Sequence, residues 1–405
     1  MDLRPILSTL RRHKTAAGLI VVEIAIATAI VCNALQLISD RIALLSADSG
    51  LPEAELIDVE VRGTGNGFDP DAATALDLRA LRGLPGVRSA AAVNQVVYGD
   101  NSNNSDVSLD PDRPTGRAQA AHYEGGEQVL AAMGLKLVAG RDFLPTEVLP
   151  ASQVWGEERS QVAAMLVNRP LAERMFPGRS AVGRQVFVYG KQPSTIVGVV
   201  ERLTHPYPGH AQNDEGYALL APVRPSYRGG SYLVRVDPAQ RDAVLRAIPA
   251  VLDRVDPTRI VGPVRPLAEM RQAFYARDRS MVWLMGGVCV LLLVVTAFGI
   301  VGLASFWVQQ RSRMIGVRRA LGASRAQIRH YFQAENFLLS GIGIAIGMAG
   351  AYAVNQVLMT HYELPRLPWW WLPVGAVTLW GLGQAAVLGP ARRAAALPPV
   401  AVMRE

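Results

Sequence analysis

Four long apolar stretches constrain the fold of this 405-residue chain more than any other feature of its sequence. They extend over residues 15–37, 281–308, 337–359 and 369–389. At 1.5 Å per helical residue the first run would reach about 35 Å, which is enough to cross a hydrocarbon core of about 30 Å. The apolar part of a cleaved signal peptide is shorter, about 7–15 residues, so we interpret the first run as a retained anchor. The sequence therefore predicts four membrane-spanning helices.

Clusters of basic residues flank these runs and predict their orientation. The clusters precede the first run, separate the second from the third and follow the fourth: Arg4, Arg11, Arg12 and Lys14; Arg311, Arg313, Arg318, Arg319, Arg325 and Arg329; Arg392, Arg393 and Arg404. Because cytoplasmic loops carry the excess of Lys and Arg, all three clusters are predicted on the cytoplasmic side. The net charge of +7 then reflects orientation in lipid. It does not indicate nucleic-acid binding, which would need a basic patch on a soluble fold.

The sequence between the first two runs predicts a large domain outside the cytoplasm. Short alternating stretches such as 56–63 indicate half-buried strands, and 239–257 indicates an amphipathic helix. Strands paired across single helices are typical of α+β subdomains. Cys32 and Cys289, the only cysteines, both fall in predicted membrane helices, so this domain has no disulfide. The predicted fold class is an α-helical membrane bundle of four transmembrane helices plus a large α+β extracytoplasmic domain inserted between helices 1 and 2.

We predict the following organisation along the chain. Residues 1–14 form a cytoplasmic N-terminus, 15–47 the first transmembrane helix and stalk, 48–266 a periplasmic α+β core domain of two subdomains, 267–308 a stalk and the second helix, 309–334 a cytoplasmic coupling helix, 335–360 the third helix, 361–368 a short periplasmic loop, 369–389 the fourth helix and 390–405 a cytoplasmic tail. No Pro or Gly interrupts 267–285, so one continuous helix is expected there.

Two features inside the predicted membrane helices point to helix contacts. Gly343 and Gly347 form a GxxxG pair, and small residues at this spacing let helix backbones approach closely in lipid. Glu23 lies within the first run, where an unpaired carboxylate costs a few kcal/mol. It either makes a polar contact to another helix or acts as a protonatable group in the bundle, or it lies close enough to the inner interface to reach water or Lys14.

The sequence contains only weak matches to known catalytic and ligand-binding patterns. Of the three lysines, only Lys14 precedes Ser or Thr, and it lacks the glycines of a P-loop; the spaced glycines of 63–68 predict a turn. His205 and His210 flank a loop but have no further close Cys or His, which is a weak metal signal. The acidic pair at 157 and 158 is typical of a solvated turn. We expect no catalytic residues, no metal site and no cofactor bound by this chain itself.

The segment VQQRSRMIGVRRALGASRAQIRHYFQAENFLLSGIGIAIGMAG, at 308–350, resembles the permease subunits of the MacB/FtsX class of ABC transporters. That family carries the motif R-x-x-E-I-G-[IV]-R-x-A-[LI]-G-A on a cytoplasmic helix that docks on the ATPase. By this resemblance the ATPase-coupling positions are the following residues: Arg311, Met314, Gly316, Arg318, Arg319, Leu321, Gly322 and Ala323. Met314 stands where the family usually has Glu, which removes one charge from the docking segment.

Other segments carry the same resemblance in the same order. AAMGLKLVAGRDF and MLVNRPLAERMFPGRSAVGRQVFVYG are similar to the family's periplasmic core domain, and the C-terminal GPARRAAALPPVAVMRE resembles the family's C-terminus. The resemblance implies a non-catalytic permease subunit in a bacterial inner membrane. ATP and Mg²⁺ would be bound by a separate cytosolic ABC ATPase. The permease would couple ATP hydrolysis by that ATPase to a change in the shape of its own periplasmic domain, and this change would drive efflux.

The resemblance also implies partners and an alternative function. The expected partners are a second permease copy or a homologue, a periplasmic adaptor and an outer-membrane channel, within membrane lipid. The alternative is an FtsX-like regulator that relays an ATPase signal to a periplasmic enzyme. Division-type members usually carry a smaller outer domain, so the large domain here favours efflux. The substrate, and whether the dimer is homomeric or heteromeric, stay open.

Overall fold

The computed structural model describes residues 14–62, 69–112, 118–156, 160–209, 216–226, 231–362 and 366–396. By contacts between Cα atoms, the chain divides into two compact units. The first unit comprises Met1–Leu45 and Arg277–Glu405, and the second comprises Ser46–Ala276. Several sequence features lie outside the described residues: the glycines of 63–68, the acidic pair at 157 and 158, His210, and the basic residues Arg4, Arg11, Arg12 and Arg404.

The described residues form eleven α-helices. In chain order they are α1 (Lys14–Ser46), α2 (Pro70–Arg82), α3 (Val129–Met133), α4 (Ala151–Trp155), α5 (Arg169–Met175), α6 (Arg241–Val255), α7 (Leu267–Phe274), α8 (Ala276–Gln310), α9 (Ser312–Ala320), α10 (Arg325–Tyr362) and α11 (Trp371–Ala396). Four of them, α1, α8, α10 and α11, are long and apolar enough to cross a membrane. The predicted four-helix fold class is therefore confirmed.

The second unit carries all the strands of the described residues. They are β1 (Leu56–Arg62), β2 (Val87–Val93), β3 (Asn104–Val107), β4 (Ala118–Glu124), β5 (Leu137–Gly140), β6 (Leu149–Pro150), β7 (Ala164–Asn168), β8 (Gln185–Phe187), β9 (Pro193–Val200), β10 (Ala218–Ala221), β11 (Val223–Arg224), β12 (Ser231–Val236) and β13 (Ile260–Pro266). β6 and β11 form a small parallel pair, and the others build two larger sheets.

The first larger sheet has four antiparallel strands in the order β13-β1-β12-β2. Alternate residues of β1, including Ile57 and Val59, face a core that α2 and α6 complete. Helix α6 contributes Val244, Ile248 and Leu252, which recur every four residues and share one face. The strand and the amphipathic helix predicted from the sequence are both confirmed.

The second larger sheet has seven mixed strands. Its order is β3-β4-β10-β7-β9-β5, with β8 paired to β9. Strands β7 and β9 are parallel, and the chain between them includes α5, whose Leu171 and Met175 pack onto the sheet. Together the two sheets give the α+β domain that the sequence predicts between the first and second apolar helices.

The structure corrects the continuous helix predicted across 267–285. This segment is divided at Tyr275, whose backbone has φ −88° and ψ 10°, between α7 and α8. The Tyr275 ring is buried and packs edge-on against Tyr98, with ring centroids 5.7 Å apart, and against Phe274 at 4.9 Å. A tertiary aromatic cluster therefore fixes the end of α7 where the sequence has neither Pro nor Gly.

Candidate functional site

The basic segment between the second and third apolar helices folds as a short helix and a tight turn. We expected one coupling helix over 309–334, but the structure divides this segment into α9 and the first turns of α10. Gly322 ends α9 with φ +96°, in the left-handed region that favours glycine. Its N–H donates to the carbonyl of Arg319, and the N–H of Ala323 donates to that of Arg318. This pair of bonds is a Schellman motif, which explains the Leu-Gly-Ala sequence at this point.

Helix α10 begins immediately after that turn with a capping box. The backbone N–H of Gln327 donates to Ser324 Oγ at 3.2 Å, and the N–H of Ser324 donates to Gln327 Oε1 at 2.9 Å. The stop signal of one helix and the start signal of the next are thus only two residues apart. This capping box is not among the features predicted from the sequence, although the S-x-x-Q pattern at 324–327 is its signal.

Arg311 is placed inside the unit. Its Nη1 donates to both carboxylate oxygens of Glu335 on α10, at 3.0 and 2.8 Å, and its guanidinium carbon lies 5.5 Å from the centre of the Trp307 ring. Arg311 is 7% exposed and Glu335 is 1% exposed. An ion pair this buried fixes the start of α9 against α10, so Arg311 is suited to position the segment. Glu335 is not among the residues predicted from the sequence, where its signal is a carboxylate beside an apolar run.

The two following arginines also have partners within the unit. The Arg318 guanidinium lies 5.2 Å from the centre of the Tyr331 ring, in cation–π geometry. Arg319 Nη1 donates to the carbonyl of Ala395 at 2.6 Å, at the C-terminal end of α11, where free carbonyls attract cations. These contacts tie α9 to the third and fourth apolar helices.

The outward side of α9 is apolar. Met314, Val317 and Leu321 are 39%, 45% and 83% exposed, and their spacing of three and four residues places them along one helix face. We call these three residues the apolar ridge. Ile315 and Gly316 face inward and are buried, and Ala323 is half-buried. Of the predicted coupling residues, Met314 and Leu321 are therefore the ones whose apolar side chains are available to a partner, and Val317 lies beside them on the ridge.

The predicted GxxxG pair lies against the first apolar helix. A Cβ added at Gly343 would lie 2.9 Å from the carbonyl oxygen of Val21, and one at Gly347 would lie 2.5 Å from that of Ala25. Both distances are below contact range for carbon and oxygen, so only glycine permits this approach of α10 to α1. Asn33 adds a polar contact between the same helices, since its Nδ2 donates to the Ala351 carbonyl at 3.1 Å.

We expect Gly347→Leu to lower the melting temperature of the detergent-solubilised protein substantially. Four extra side-chain carbons have no room at this crossing, and overpacking of this kind costs about 1–3 kcal/mol or more. Gly381→Leu is the matched control, because a Cβ at Gly381 meets no atom within 4 Å. Equal melting temperatures for the two variants, measured by a thermal-shift assay, would contradict close packing at Gly347.

Glu23 lies against the second apolar helix. A Cβ added at Gly299 would lie 2.5 Å from both carboxylate oxygens of Glu23. Of the open interpretations from the sequence, this placement favours a contact to another helix over an exposed position at the interface. Glycine at 299 provides the space that the carboxylate occupies.

The structure offers no metal centre or reactive thiol among the residues it describes. No group of three or more His, Cys, Asp or Glu side chains could hold a metal ion within the described ranges. His205 Nε2 lies 2.9 Å from Asn104 Oδ1, and its Nδ1 accepts the backbone N–H of Tyr207 at 3.0 Å. Both ring nitrogens are therefore engaged in hydrogen bonds. Cys32 and Cys289 are buried free thiols.

Two family models match this chain. The one described as MacB-like periplasmic core domain matches residues 19–251, which is more than half of the sequence. The one described as FtsX-like permease C-terminal matches residues 286–399, which include the coupling segment and the third and fourth apolar helices.

Individual relatives agree with these matches. The uncharacterized ABC transporter permease YknZ of Bacillus subtilis strain 168 is 23% identical over 366 residues, covering 86% of this chain and 83% of its own. The macrolide export ATP-binding/permease protein MacB of Hyphomonas neptunium is 28% identical over 60% of this chain and 38% of its own. The MacB protein of Chromobacterium violaceum is 26% identical, and the match covers 72% of this chain and 46% of the MacB chain. The chain thus spans less than half the length of these two MacB relatives.

Solved structures of outer domains are also similar to part of the chain. The extracellular domain of the ABC-type transporter YknZ from Gram-positive bacteria aligns with 51% of this chain and all of its own, at 14% identity and a TM-score of 0.31. The periplasmic region of MacB from Actinobacillus actinomycetemcomitans aligns with 57% of this chain and 96% of its own, at 16% identity and a TM-score of 0.32.

Proposed function

Because this chain belongs to the family of ABC transporter permeases that combine a MacB-like periplasmic core domain with an FtsX-like C-terminal region, we propose that it is a membrane subunit driven by a separate ABC ATPase. In this proposal it lies in a bacterial inner membrane with its large domain in the periplasm. The ATPase binds ATP and Mg²⁺, and this chain supplies no catalytic group. The permease works as a dimer, with a second copy or a homologue.

The observation that carries this proposal is the way α9 is held. The exposed apolar ridge offers a surface for a cytosolic partner, because exposed apolar patches on a folded chain mark interaction sites. On its inner side, α9 is fixed to the third and fourth apolar helices by the Arg311–Glu335 ion pair and the Arg319 contact to Ala395. A push on the ridge would therefore move these helices with it instead of bending a loose loop.

The proposed mechanism is mechanical. Closure of the ATPase on ATP displaces α9, and the long apolar helices carry the displacement towards the periplasmic domain, which changes shape to act on its substrate. Helices α1 and α8 have 33 and 35 residues and directly precede and follow the outer domain in sequence. We propose efflux as the outcome, with a periplasmic adaptor and an outer-membrane channel as further partners.

Co-purification from native membranes tests this function. The tagged chain, solubilised in mild detergent, should bring down an ABC ATPase in near-equal amount, together with an adaptor, as identified by mass spectrometry. The purified complex should hydrolyse ATP. Recovery of monodisperse chain without any ATPase would contradict the proposal. Recovery of the ATPase with a periplasmic hydrolase in place of an adaptor would favour the regulator of the FtsX type.

A further inference from the structure

The outer domain contains a polar cavity that the coupling function does not use. It has a volume of about 390 Å³ and is lined by residues from five segments of the second unit. Asn104 and Ser105 come from β3, His122 and Glu124 from β4, and Trp155 from the end of α4. This volume lies within the range of small-molecule sites, about 300–1,000 Å³.

Buried polar side chains form one wall of this cavity. His122 Nδ1 lies 2.8 Å from Ser105 Oγ, and His122 Nε2 lies 2.6 Å from the Tyr189 hydroxyl. That hydroxyl also donates to Glu124 Oε1 at 3.4 Å. The Trp155 ring, largely exposed at the cavity, lies with its centroid 5.5 Å from that of Tyr189. The lining therefore includes one carboxylate, one imidazole and the Trp155 ring, and Tyr189, which does not itself line the cavity, contacts all three.

Glu124 is the group of this cavity that titrates near neutral pH. Burial raises its pKa to about 7, against hydrogen bonds from Trp155 and Tyr189 that lower it. Burial also lowers the pKa of His122 to about 4, so the imidazole is neutral, and it raises the pKa of Tyr189, so the phenol keeps its proton. Within the described part of the chain no Lys or Arg lines the cavity, and nearby Arg224 is paired with Glu127 at 2.8 Å.

A buried carboxylate without a cationic partner is expensive when it is ionised. A ligand that brings a positive charge would remove that cost and gain a charge-assisted hydrogen bond. The exposed ring of Trp155 beside the carboxylate adds cation–π attraction and a surface for an apolar stem. A neutral polar ligand would leave the charge of Glu124 uncompensated, and an anion would be repelled by it.

We propose that this cavity binds a small organic cation, whose ammonium group pairs with Glu124 and whose apolar part lies against Trp155. The site belongs to the outer domain alone and does not depend on the identity of the ATPase. It adds a ligand-binding role to that domain, separate from the transmission of force through the helices.

Binding of a matched pair of probes to the full chain in lipid nanodiscs tests this proposal. Benzylammonium and benzyl alcohol have similar size but differ in charge. At pH 8 benzylammonium should bind saturably, with an affinity at least about tenfold above that of benzyl alcohol, as expected for one charged hydrogen bond. Saturation-transfer-difference NMR can measure the binding of both probes. Equal affinities for the two probes would overturn the proposal.

Substitutions locate the binding. Glu124→Gln should weaken benzylammonium binding at least about tenfold, whereas Glu147→Gln, at an ion pair with Arg141 away from the cavity, should leave it unchanged. If Glu124→Gln binds as tightly as the unmodified chain, the proposal is wrong.

The affinity of the unmodified chain for benzylammonium, measured as a function of pH, tests the role of Glu124 independently. This measurement does not require that the Glu124→Gln variant folds. The ionised fraction of a group with a pKa of about 7 rises from roughly 0.1 at pH 6 to roughly 0.9 at pH 8. Benzylammonium stays protonated over this range, and neither His122 nor Tyr189 titrates in it. The affinity should therefore increase about tenfold from pH 6 to pH 8. An affinity that is constant across this range would overturn the proposal.

Discussion

Leu321→Asp is expected to lower ATP hydrolysis by the assembled complex at least about tenfold while leaving the isolated chain folded. The Leu321 side chain is 83% exposed at the end of α9, so it contributes little to the core of its own unit. Burial of a leucine against a partner is worth about 1.5–3 kcal/mol, and an aspartate there would bring an unpaired charge into the contact. A loss of about 1.4 kcal/mol already corresponds to tenfold in affinity.

The matched control for this substitution is Leu76→Asp. Leu76 is also an exposed leucine on a helix, at 54% exposure on α2, but it belongs to the outer domain. Both variants should reach the membrane and show the same melting temperature as the unmodified chain. Only Leu321→Asp should lose the ATPase on co-purification and the hydrolysis measured in nanodiscs. Full hydrolysis in Leu321→Asp would show that the apolar ridge is not the docking surface.

Leu321 is a sharper probe than the arginines beside it. Charge reversal of Arg318 or Arg319 would remove docking charge, but it would also break the cation–π contact to Tyr331 or the hydrogen bond to Ala395. A loss of coupling in such a variant would therefore have two explanations. The Leu321 side chain is 83% exposed, so its replacement disturbs few contacts inside its own unit.

Local signals in the sequence predict much of this fold because they act over a few residues. The apolar runs give the four long helices, and the alternation in 56–63 gives β1. The Gly343 and Gly347 spacing indicates a close helix crossing, and the structure supplies α1 as the partner. The partner itself is not encoded in the spacing, since any helix backbone could use the same small surface.

Contacts between distant segments are what sequence patterns leave undetermined. Arg311, at the N-cap of α9, and Glu335, on α10, lie 24 residues apart, and no periodicity links them. The break at Tyr275 depends on the ring of Tyr98, which comes from another part of the domain. The Glu124 cavity draws its walls from five segments, so no local motif indicates it. In each case tertiary packing determines the result, and the sequence shows only that the residue types are present.

Arg311→Met is expected to lower the free energy of unfolding of the first unit, which contains the four apolar helices, by about 3–5 kcal/mol. The reason is that the substitution leaves Glu335 buried and unpaired. For a unit of this size such a loss corresponds to a decrease in melting temperature of roughly 10 °C. Arg313→Met is the matched control, since Arg313 is exposed on the same segment. A melting temperature for Arg311→Met equal to that of the control would show that the pair contributes nothing.

The double variant Arg311→Met with Glu335→Met separates the two roles that Arg311 could have. Replacing a whole buried ion pair by apolar side chains of similar volume is often neutral or stabilising, so the melting temperature should return to about that of the unmodified chain. If Arg311 only positions α9, ATP hydrolysis by the complex should recover with the stability. If Arg311 instead contacts the ATPase, as the family motif implies, stability should recover while hydrolysis stays low. Because its guanidinium is buried against Glu335 and Trp307, we expect both to recover together.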